Sequence, residues 1–484
     1  MEKNLRWYDF ITLNIYHFGL STISQTMAPL VVPLLVQEFV GESQKATYYG
    51  NIRLWGLMLA LLAQAFWGLV SDHSQARWGR RRPFILGGTL GDLVFVAAIG
   101  LCGTVGLSGM EGYWLLFVAY LLLQVSFNAG QGAAQGLIPD NVPENHLGLA
   151  SSVKAVLEVP LPVILVSFAI APLIGGSNYW GGVTVAAGVL ALVTFVAMFI
   201  RETPLAGKLA ALDWKPFLRI LLMTAAFTVI ILGMGEVIRQ VENLMGGISS
   251  KVILFGALGL VGLAAMLVAV VLGVWLCIRI GAGARAGESF TAWVIGRLAF
   301  MVGVFNLSSF GVYFLQARLG LIKEEAARPA SMLLMFVGIA VLVCALAGGW
   351  LADRFSRRTL VAVAGVVAAI GTLIAILSPT LPLIVVGGAL IGGATGLFYT
   401  ANWALGTLLV PKEEAGRFLG ISNLAGAGAG AVGAYIGGPI ADYFTVHFPD
   451  APGLGYVLLF AIYGMLFLVS IATLKWVVEP AKAG

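Results

Sequence analysis

Long apolar runs alternate with short polar connections along the whole chain. A membrane-spanning helix needs about 20 apolar residues. Runs of that length fall at 9–38, 48–72, 82–105, 112–138, 146–173 and 178–200. Six more fall at 290–318, 328–352, 359–378, 381–410, 415–444 and 455–478, with two further runs, 217–237 and 252–278, between the sets. The pattern predicts an all-α membrane protein of about 14 transmembrane helices with both termini on the same side.

Composition narrows this. Of 484 residues, 59% are apolar and 11% charged, and the mean hydropathy is +0.95. A soluble domain carries about 25% charged residues, and a disordered chain has low hydrophobicity and high net charge. Both classes are excluded. The net charge of +5 sits in the short connections, so it reads as topology control rather than nucleic-acid binding. With the N-terminus in the cytoplasm, 19 of the 28 Lys and Arg fall on cytoplasmic ends and loops. Lys45, Arg239, Lys251, Arg318, Lys323 and Arg328 fall outside, and Arg53, Lys154 and Arg297 fall within spans. This bias predicts a multi-pass protein of the cell (inner) membrane with both termini cytoplasmic.

Little else points to chemistry. Cys102, Cys277 and Cys344 are too scattered for a disulfide framework or a metal site. The stretch Met1 to Phe10 is followed by a run of span length, not a signal-peptide core. The Gly-x-Gly-x-Gly at Gly426 follows no strand, which makes a nucleotide site a poor reading. With no ATPase loop, metal cluster or catalytic triad in the sequence, the expectation is no enzyme, no cofactor and no metal.

The chain repeats itself. Gly68-Leu-Val-Ser-Asp72 is followed by Arg77-Trp-Gly79-Arg80-Arg81-Arg82. Gly349-Trp-Leu-Ala-Asp353 is followed by Arg354-Phe-Ser356-Arg357-Arg358, 281 positions later. The same offset carries the first span onto the run beginning at Phe290. The expected organisation is a six-helix bundle at 1–201, an insert at 202–289 holding the two extra helices, and a second six-helix bundle at 290–484. Parallel six-helix repeats are a transporter architecture, with the substrate site near the midplane between the halves.

The Gly-x-x-x-Asp…Gly-Arg-Arg-Arg loop and its weaker copy resemble the major facilitator superfamily. The longer string from Ser71-Asp72 through Arg80-Arg81-Arg82-Pro83-Phe84-Ile85 is similar to the sucrose–proton symporters and the glycoside–pentoside–hexuronide:cation symporter group. So is Asn128-Ala-Gly-Gln131-Gly132-x-x-Gln135-Gly-Leu-Ile-Pro139-Asp140. The resemblance implies secondary active transport of a sugar-like solute by alternating access, coupled to protons. It implies that Asp72, Arg77, Arg80, Arg81 and Arg82 form a conformational gate, with Asp72 facing the helix that starts near Gly416. Asp353, Arg357 and Arg358 would be its weaker counterpart. The plainer alternative is that these arginines only hold the loop inside.

Ionisable groups at membrane depth are costly and mark functional sites. Glu158 lies about twelve residues into its span, one turn after Lys154, and is the candidate proton-coupling group; a structural Lys154–Glu158 pair is the alternative. Asp92 reads as structural. Arg53 is either a gate or an anchor, and His17 either a ligand or a satisfied helix residue. A sugar needs amides for its hydroxyls and aromatics for its ring face. The resemblance makes the first and fourth helices of each half cavity-lining. These carry Asn14, His17, Asn128, Gln131 and Gln135 in the first half, and Arg297, Asn306, Tyr399, Asn402 and Trp403 in the second, as candidate substrate-binding residues. The symporters carry an acidic residue where this chain has Gln124, and their sodium-coupled branch carries acidic residues on a second span that here has none before Asp72. That departure either removes ion coupling or moves it to Glu158. The expected partners are a small solute, protons and the bilayer, with no nucleic acid, and the chain is read as a monomer. A fourteen-helix drug:proton antiporter and a non-transporting pigment or assembly protein of the same fold are the competing readings.

Overall fold

Hydrocarbon offers no partner to a backbone N–H or C=O, so a chain this apolar must satisfy every peptide group within helices. A computed structural model describes residues 6–104, 106–143, 146–176, 178–200, 202, 213–281, 287–409, 415–451 and 453–478. The elements in it are helices: α1 (Trp7–Val40), α2 (Lys45–Asp72), α3 (Arg82–Cys102), α4 (Gly109–Asn141), α5 (Leu149–Gly175), α6 (Tyr179–Ala197), α7 (Lys215–Met245) and α8 (Lys251–Gly281). There follow α9 (Glu288–Ser309), α10 (Gly311–Leu319), α11 (Lys323–Arg354), α12 (Arg357–Leu377), α13 (Leu381–Leu409), α14 (Ala415–His447) and α15 (Leu454–Thr473). Among the described residues, 13 helices are long and apolar enough to cross a membrane. The 33-residue α14 is a further long helix. The protein is a multi-pass membrane protein of the helix count read from the sequence.

Three spans are less regular than their hydropathy predicts. The first carries a π-helical turn at Met27–Val31, next to Pro29. In the fifth, Pro160 has no N–H for the carbonyl one turn back, and the helix breaks after Glu158. The run 290–318 is two helices, α9 and α10, parted at Phe310.

The chain divides into two compact units. One comprises Met1–Phe39, Leu59–Ile220 and Lys323–Ser331. In it α1 packs on α5 and α6, and α3 packs on α4 and α6. A buried hydroxyl relay ties α1, α3 and α6: Tyr16 Oη is 3.1 Å from Thr89 Oγ1, which is 3.0 Å from Thr194 Oγ1. The first turns of α11 join this unit through Lys323 Nζ, 3.0 Å from Glu38, and through Ser331, whose carbonyl accepts from Ser167 at 2.7 Å.

The other unit comprises Val40–Met58, Leu221–Ile322 and Met332–Gly484. Here α9 packs on α14 and α15, α12 packs on α13 and α15, and α8 packs on α14 and α9. The rings of Phe300 and Phe398 stack with centroids 3.6 Å apart. The first half of α2 lies backbone to backbone on α14. A side chain at Gly50 would drive into the Ala434 carbonyl, and one at Gly438 into the Ala46 carbonyl. Small residues are what allow such an approach. Helices α7 and α8 form a hairpin fixed at several points. Phe227 sits where any side chain on Gly273 or Gly428 would clash. Arg239 donates to Tyr435 Oη at 3.3 Å. Lys251 Nζ is 2.5 Å from Asp450 Oδ2, and its ammonium holds the Asp450 carboxyl below the usual carboxylate range.

The turn between α7 and α8, residues 246–250, is the test of the hairpin's topology. With the termini inside, Gly247→Cys and Ser249→Cys react fully with a membrane-impermeant thiol reagent added outside, while buried Cys277 stays unlabelled. Labelling from the cytoplasmic side alone overturns this orientation.

Candidate functional site

The arginine-rich loop is built around one buried guanidinium. Asp72 ends α2, and α3 starts at Arg82 with Pro83 in its first turn, where a missing N–H costs nothing. Arg81 lies between them and is only 5% exposed. Its Nη1 is 2.7 Å from Asp72 Oδ1 and donates to Ser71 Oγ at 2.8 Å. Its Nε donates to Asp140 Oδ2 at 3.1 Å. Its backbone N–H donates to Glu202 Oε2 at 2.7 Å. Arg80 Nη2 adds contacts of 3.0 Å to Asp72 and 3.6 Å to Asp140. Two arginines thus share two carboxylates, which is what a buried cation requires. Gly79, with φ of +129°, lets the loop close: a side chain there would be strained and would meet the Glu202 carboxylate. Arg82 only donates to the Trp78 carbonyl, at 3.1 Å, and Arg77 is exposed.

Sequence reasoning named Asp72 and the arginines but gave no role to Ser71, Asp140 or Glu202. Asp140 was visible at the end of the Asn128 motif, 59 positions from Arg81, but nothing local links them. In the second copy, Arg357 is half-buried and Arg358 exposed at the start of α12. The Asp353 side chain and the side chains at the start of α14 near Gly416 lie outside the described residues.

The candidate binding residues of the first unit lie on α1, α4 and α5. Asn14 is fully buried; its Nδ2 donates to the Phe10 and Ala150 carbonyls at 2.8 and 3.3 Å. Its Oδ1 has no partner among the described residues, and neither does Nε2 of the buried His17. Asn128 Nδ2 donates to the Gln124 carbonyl at 2.7 Å. Gln131 is half-buried, while Gln135 is exposed and within 3.4 Å of Gln64 Nε2. Glu158 ends the first segment of its span, with its side chain 36% exposed and Lys154 Nζ at 3.8 Å. Asp92 is completely buried and accepts from Ser126 Oγ at 2.5 Å.

In the second unit α9 and α13 bring four of the five candidates together. Arg297 Nη1 donates to Asn402 Oδ1 at 3.0 Å. Its guanidinium carbon lies 5.5 Å from the ring centre of Trp403 and 5.9 Å from that of Trp293. Trp293 Nε1 donates to the Asn402 carbonyl at 3.1 Å, and Tyr399 lies close enough for its phenol to feel the Arg297 charge. Asn306 stands apart: its Nδ2 donates to the Val302 and Ala429 carbonyls at 2.8 and 3.1 Å, and its Oδ1 is unpartnered. Trp293 was read as part of an apolar run; only the fold shows its indole N–H holding Asn402.

A second carboxylate was missed as well. Asp442 on α14 is 5% exposed and accepts from the backbone N–H groups of Ala46 and Thr47, at 3.1 and 2.7 Å. These are first-turn donors of α2, which have no partner inside their own helix. Asp442 closes another Gly-x-x-x-Asp, Gly438-Pro-Ile-Ala-Asp442. Beside it, buried Lys45 reaches Glu42 at 2.7 Å and Gln316 at 3.1 Å over the Tyr313 ring.

The family model described as Major Facilitator Superfamily matches residues 293–484. The whole fold agrees with it, since 98% of the chain aligns with 99% of a D-xylose–proton symporter at a TM-score of 0.65. The major facilitator resemblance is borne out. At 14% identity the structural likeness speaks to the fold alone. Two curated relatives match over shorter stretches. An uncharacterized symporter of Synechocystis is 30% identical over 83 residues, 17% of this chain and 15% of that one. The sucrose transport protein SUT1 of Oryza sativa subsp. japonica is 30% identical over 114 residues, 21% of each chain. The chain thus spans about a fifth or less of the length of these relatives.

The arginine cluster makes a stability prediction. Arg81→Ala strands two carboxylates that are themselves partly solvated. It costs about 2–3 kcal/mol, less than the loss of one partner from a fully buried pair. Arg77→Ala, on an exposed side chain, costs under about 0.5 kcal/mol. Thermal unfolding in detergent measures both, and equal effects overturn the assignment of Arg81 as the hub.

Proposed function

We propose that the protein is a secondary active transporter of a sugar-like small solute, working by alternating access and coupled to protons. One observation carries the solute class. The amides Asn14, Asn128 and Asn306 each donate to the carbonyl four residues back in their own helix. Tying down the NH2 group leaves the amide oxygen as an acceptor, and a sugar offers many O–H donors to such oxygens. The indole of Trp403, 42% exposed, supplies an apolar face for a ring. The printed name of the matching sucrose transport protein supports the same class. Tryptophan and amide oxygens also fit an aromatic drug, so antiport is the second reading; the extra hairpin favours it. The bundles at 1–201 and 290–484 are assigned as the transporting repeats, and 202–289 as an accessory insert. The assigned placement is the inner membrane, termini inside.

Glu158 is the assigned proton carrier. It has one cation nearby, at 3.8 Å, and enough exposure to exchange protons with water. The loop of Asp72, Arg80 and Arg81 is the assigned inner gate, whose ion pairs form and break during the cycle.

Counterflow of labelled sucrose, maltose and glucuronate in proteoliposomes, set against efflux of a cationic dye, tests the solute class, neutral sugars and sugar acid alike. Sugar counterflow is the expected result; dye efflux without it favours the antiporter, and visible absorbance of the purified protein favours the pigment reading. Glu158→Gln abolishes pH-driven accumulation and leaves exchange down a gradient intact, because Gln keeps the shape and a hydrogen bond. Accumulation by this variant removes Glu158 from coupling. Asp72→Asn slows transport about ten-fold or more at normal expression, as expected from losing a charge-assisted bond. Unchanged transport reduces the loop to a topology signal.

A further inference from the structure

Among the described residues, Arg297 is a buried candidate-site arginine whose charge no carboxylate answers. It lies nine residues after the start of α9, about 14 Å along the helix axis, and is 8% exposed. A buried arginine is normally matched by a carboxylate, as Arg81 is. Among the described residues Arg297 has no ion pair, and its Nε has no hydrogen-bond partner. Its neighbours are dipoles and rings: Asn402 Oδ1 at 3.0 Å, the faces of Trp293 and Trp403, and Tyr399.

Among the described residues, the acids of the same unit lie elsewhere. Glu42 pairs with Lys45, Glu236 with Arg239 and Asp450 with Lys251. Asp442 holds the start of α2. Glu242 lies near Arg239 and Asp442. Glu288 is exposed at the first residue of α9.

A guanidinium so placed is a waiting fork. Its planar donors match the two oxygens of a carboxylate or phosphate. Asn402, itself held through its carbonyl by Trp293 Nε1, fixes Nη1 and leaves Nε free. Trp403, exposed beside it, puts the cluster at an accessible edge. We infer that Arg297 binds an oxyanion on the transported solute, so that the solute is an acid rather than a neutral sugar. This inference rests on the transport reading above and adds the solute's charge.

The test uses the purified full chain in detergent. Glucose, glucuronate, glucose 6-phosphate, lactate and inorganic phosphate are compared for thermal stabilisation and, in proteoliposomes, for counterflow. The expected result is protection by at least one of the anions at concentrations where glucose gives none. Glucuronate against glucose 6-phosphate separates carboxylate from phosphate. Arg297→Gln weakens the protecting anion about ten- to hundred-fold, the size of a lost charge-assisted hydrogen bond. Asn402→Asp is the companion variant: it supplies an internal carboxylate beside Arg297, keeps or raises the unligated melting temperature, and abolishes the anion effect. Protection by no anion, or equal protection in Arg297→Gln and Asn402→Asp, overturns the inference. Sucrose or maltose counterflow that Arg297→Gln leaves unchanged also overturns it, with the sugar reading intact. Protection by lactate or phosphate but by neither sugar acid supports the inference and removes the sugar.

Discussion

The absence of hydrogen-bond partners in hydrocarbon governs this structure. It forces the backbone into helices, and it also disciplines the side chains within them. Thr22, Thr26, Thr194, Thr228, Thr372 and Thr395 all donate to the carbonyl four residues back. Asn14, Asn128 and Asn306 do the same with their amides. A polar residue in a span is therefore unremarkable while its own helix can satisfy it. The informative atoms are those left over, which among the described residues include Asn14 Oδ1, His17 Nε2, Asp92 Oδ2, Arg297 Nε and Asn306 Oδ1. Leaving such an atom unpaired costs about 1–3 kcal/mol, a cost that a structural role alone would select against.

Arg81 and Arg297 show how partners, not burial, separate two roles. Their exposures, 5% and 8%, are nearly equal. Arg81 is enclosed by Asp72, Asp140 and Ser71, with Glu202 on its backbone, and it needs nothing from outside. Arg297 has an amide oxygen and indole faces. Cation–π contacts of this kind contribute about 0.5–2 kcal/mol each, less than the several kcal/mol that desolvating an ion costs. The first arginine is answered by carboxylates of the chain itself. The second, among the described residues, is not.

The spans were legible because hydropathy alone decides them, and the repeat because Gly-x-x-x-Asp recurs with arginines after it. The breaks were not. Pro160 and Pro162 were visible, but the parting of α9 from α10 at Phe310 is marked only by Gly311, which does not stand out in spans so rich in glycine. In the arginine loop the basic residues could be read, since they are consecutive. Glu202 could not, because it reaches Arg81 from 121 positions away. Glu158 was judged by depth, and depth says nothing of its 36% exposure. The Gly-x-x-x-Asp ending at Asp442 was in plain sight. It was passed over because α14 runs on to His447 with no arginine loop to mark an end.

Asp442 explains how α2 is held. A helix carries partial positive charge at its start and partial negative charge at its end. At the start of α2 the Asp442 carboxylate accepts two orphan N–H groups, so the dipole and the hydrogen bonds act in the same direction. Replacing such a cap ordinarily costs about 0.5–2 kcal/mol. At the end of α2 the situation is inverted. Asp72 is a carboxylate at the negative pole, the wrong sign for its place, and solvent together with Arg80 and Arg81 offsets that. The start of α2 is therefore stable by the helix's own field, while its end depends on two arginines supplied by the following loop. An end held through other side chains rather than by its own helix is where the proposed gate would act, and the arginines lie there.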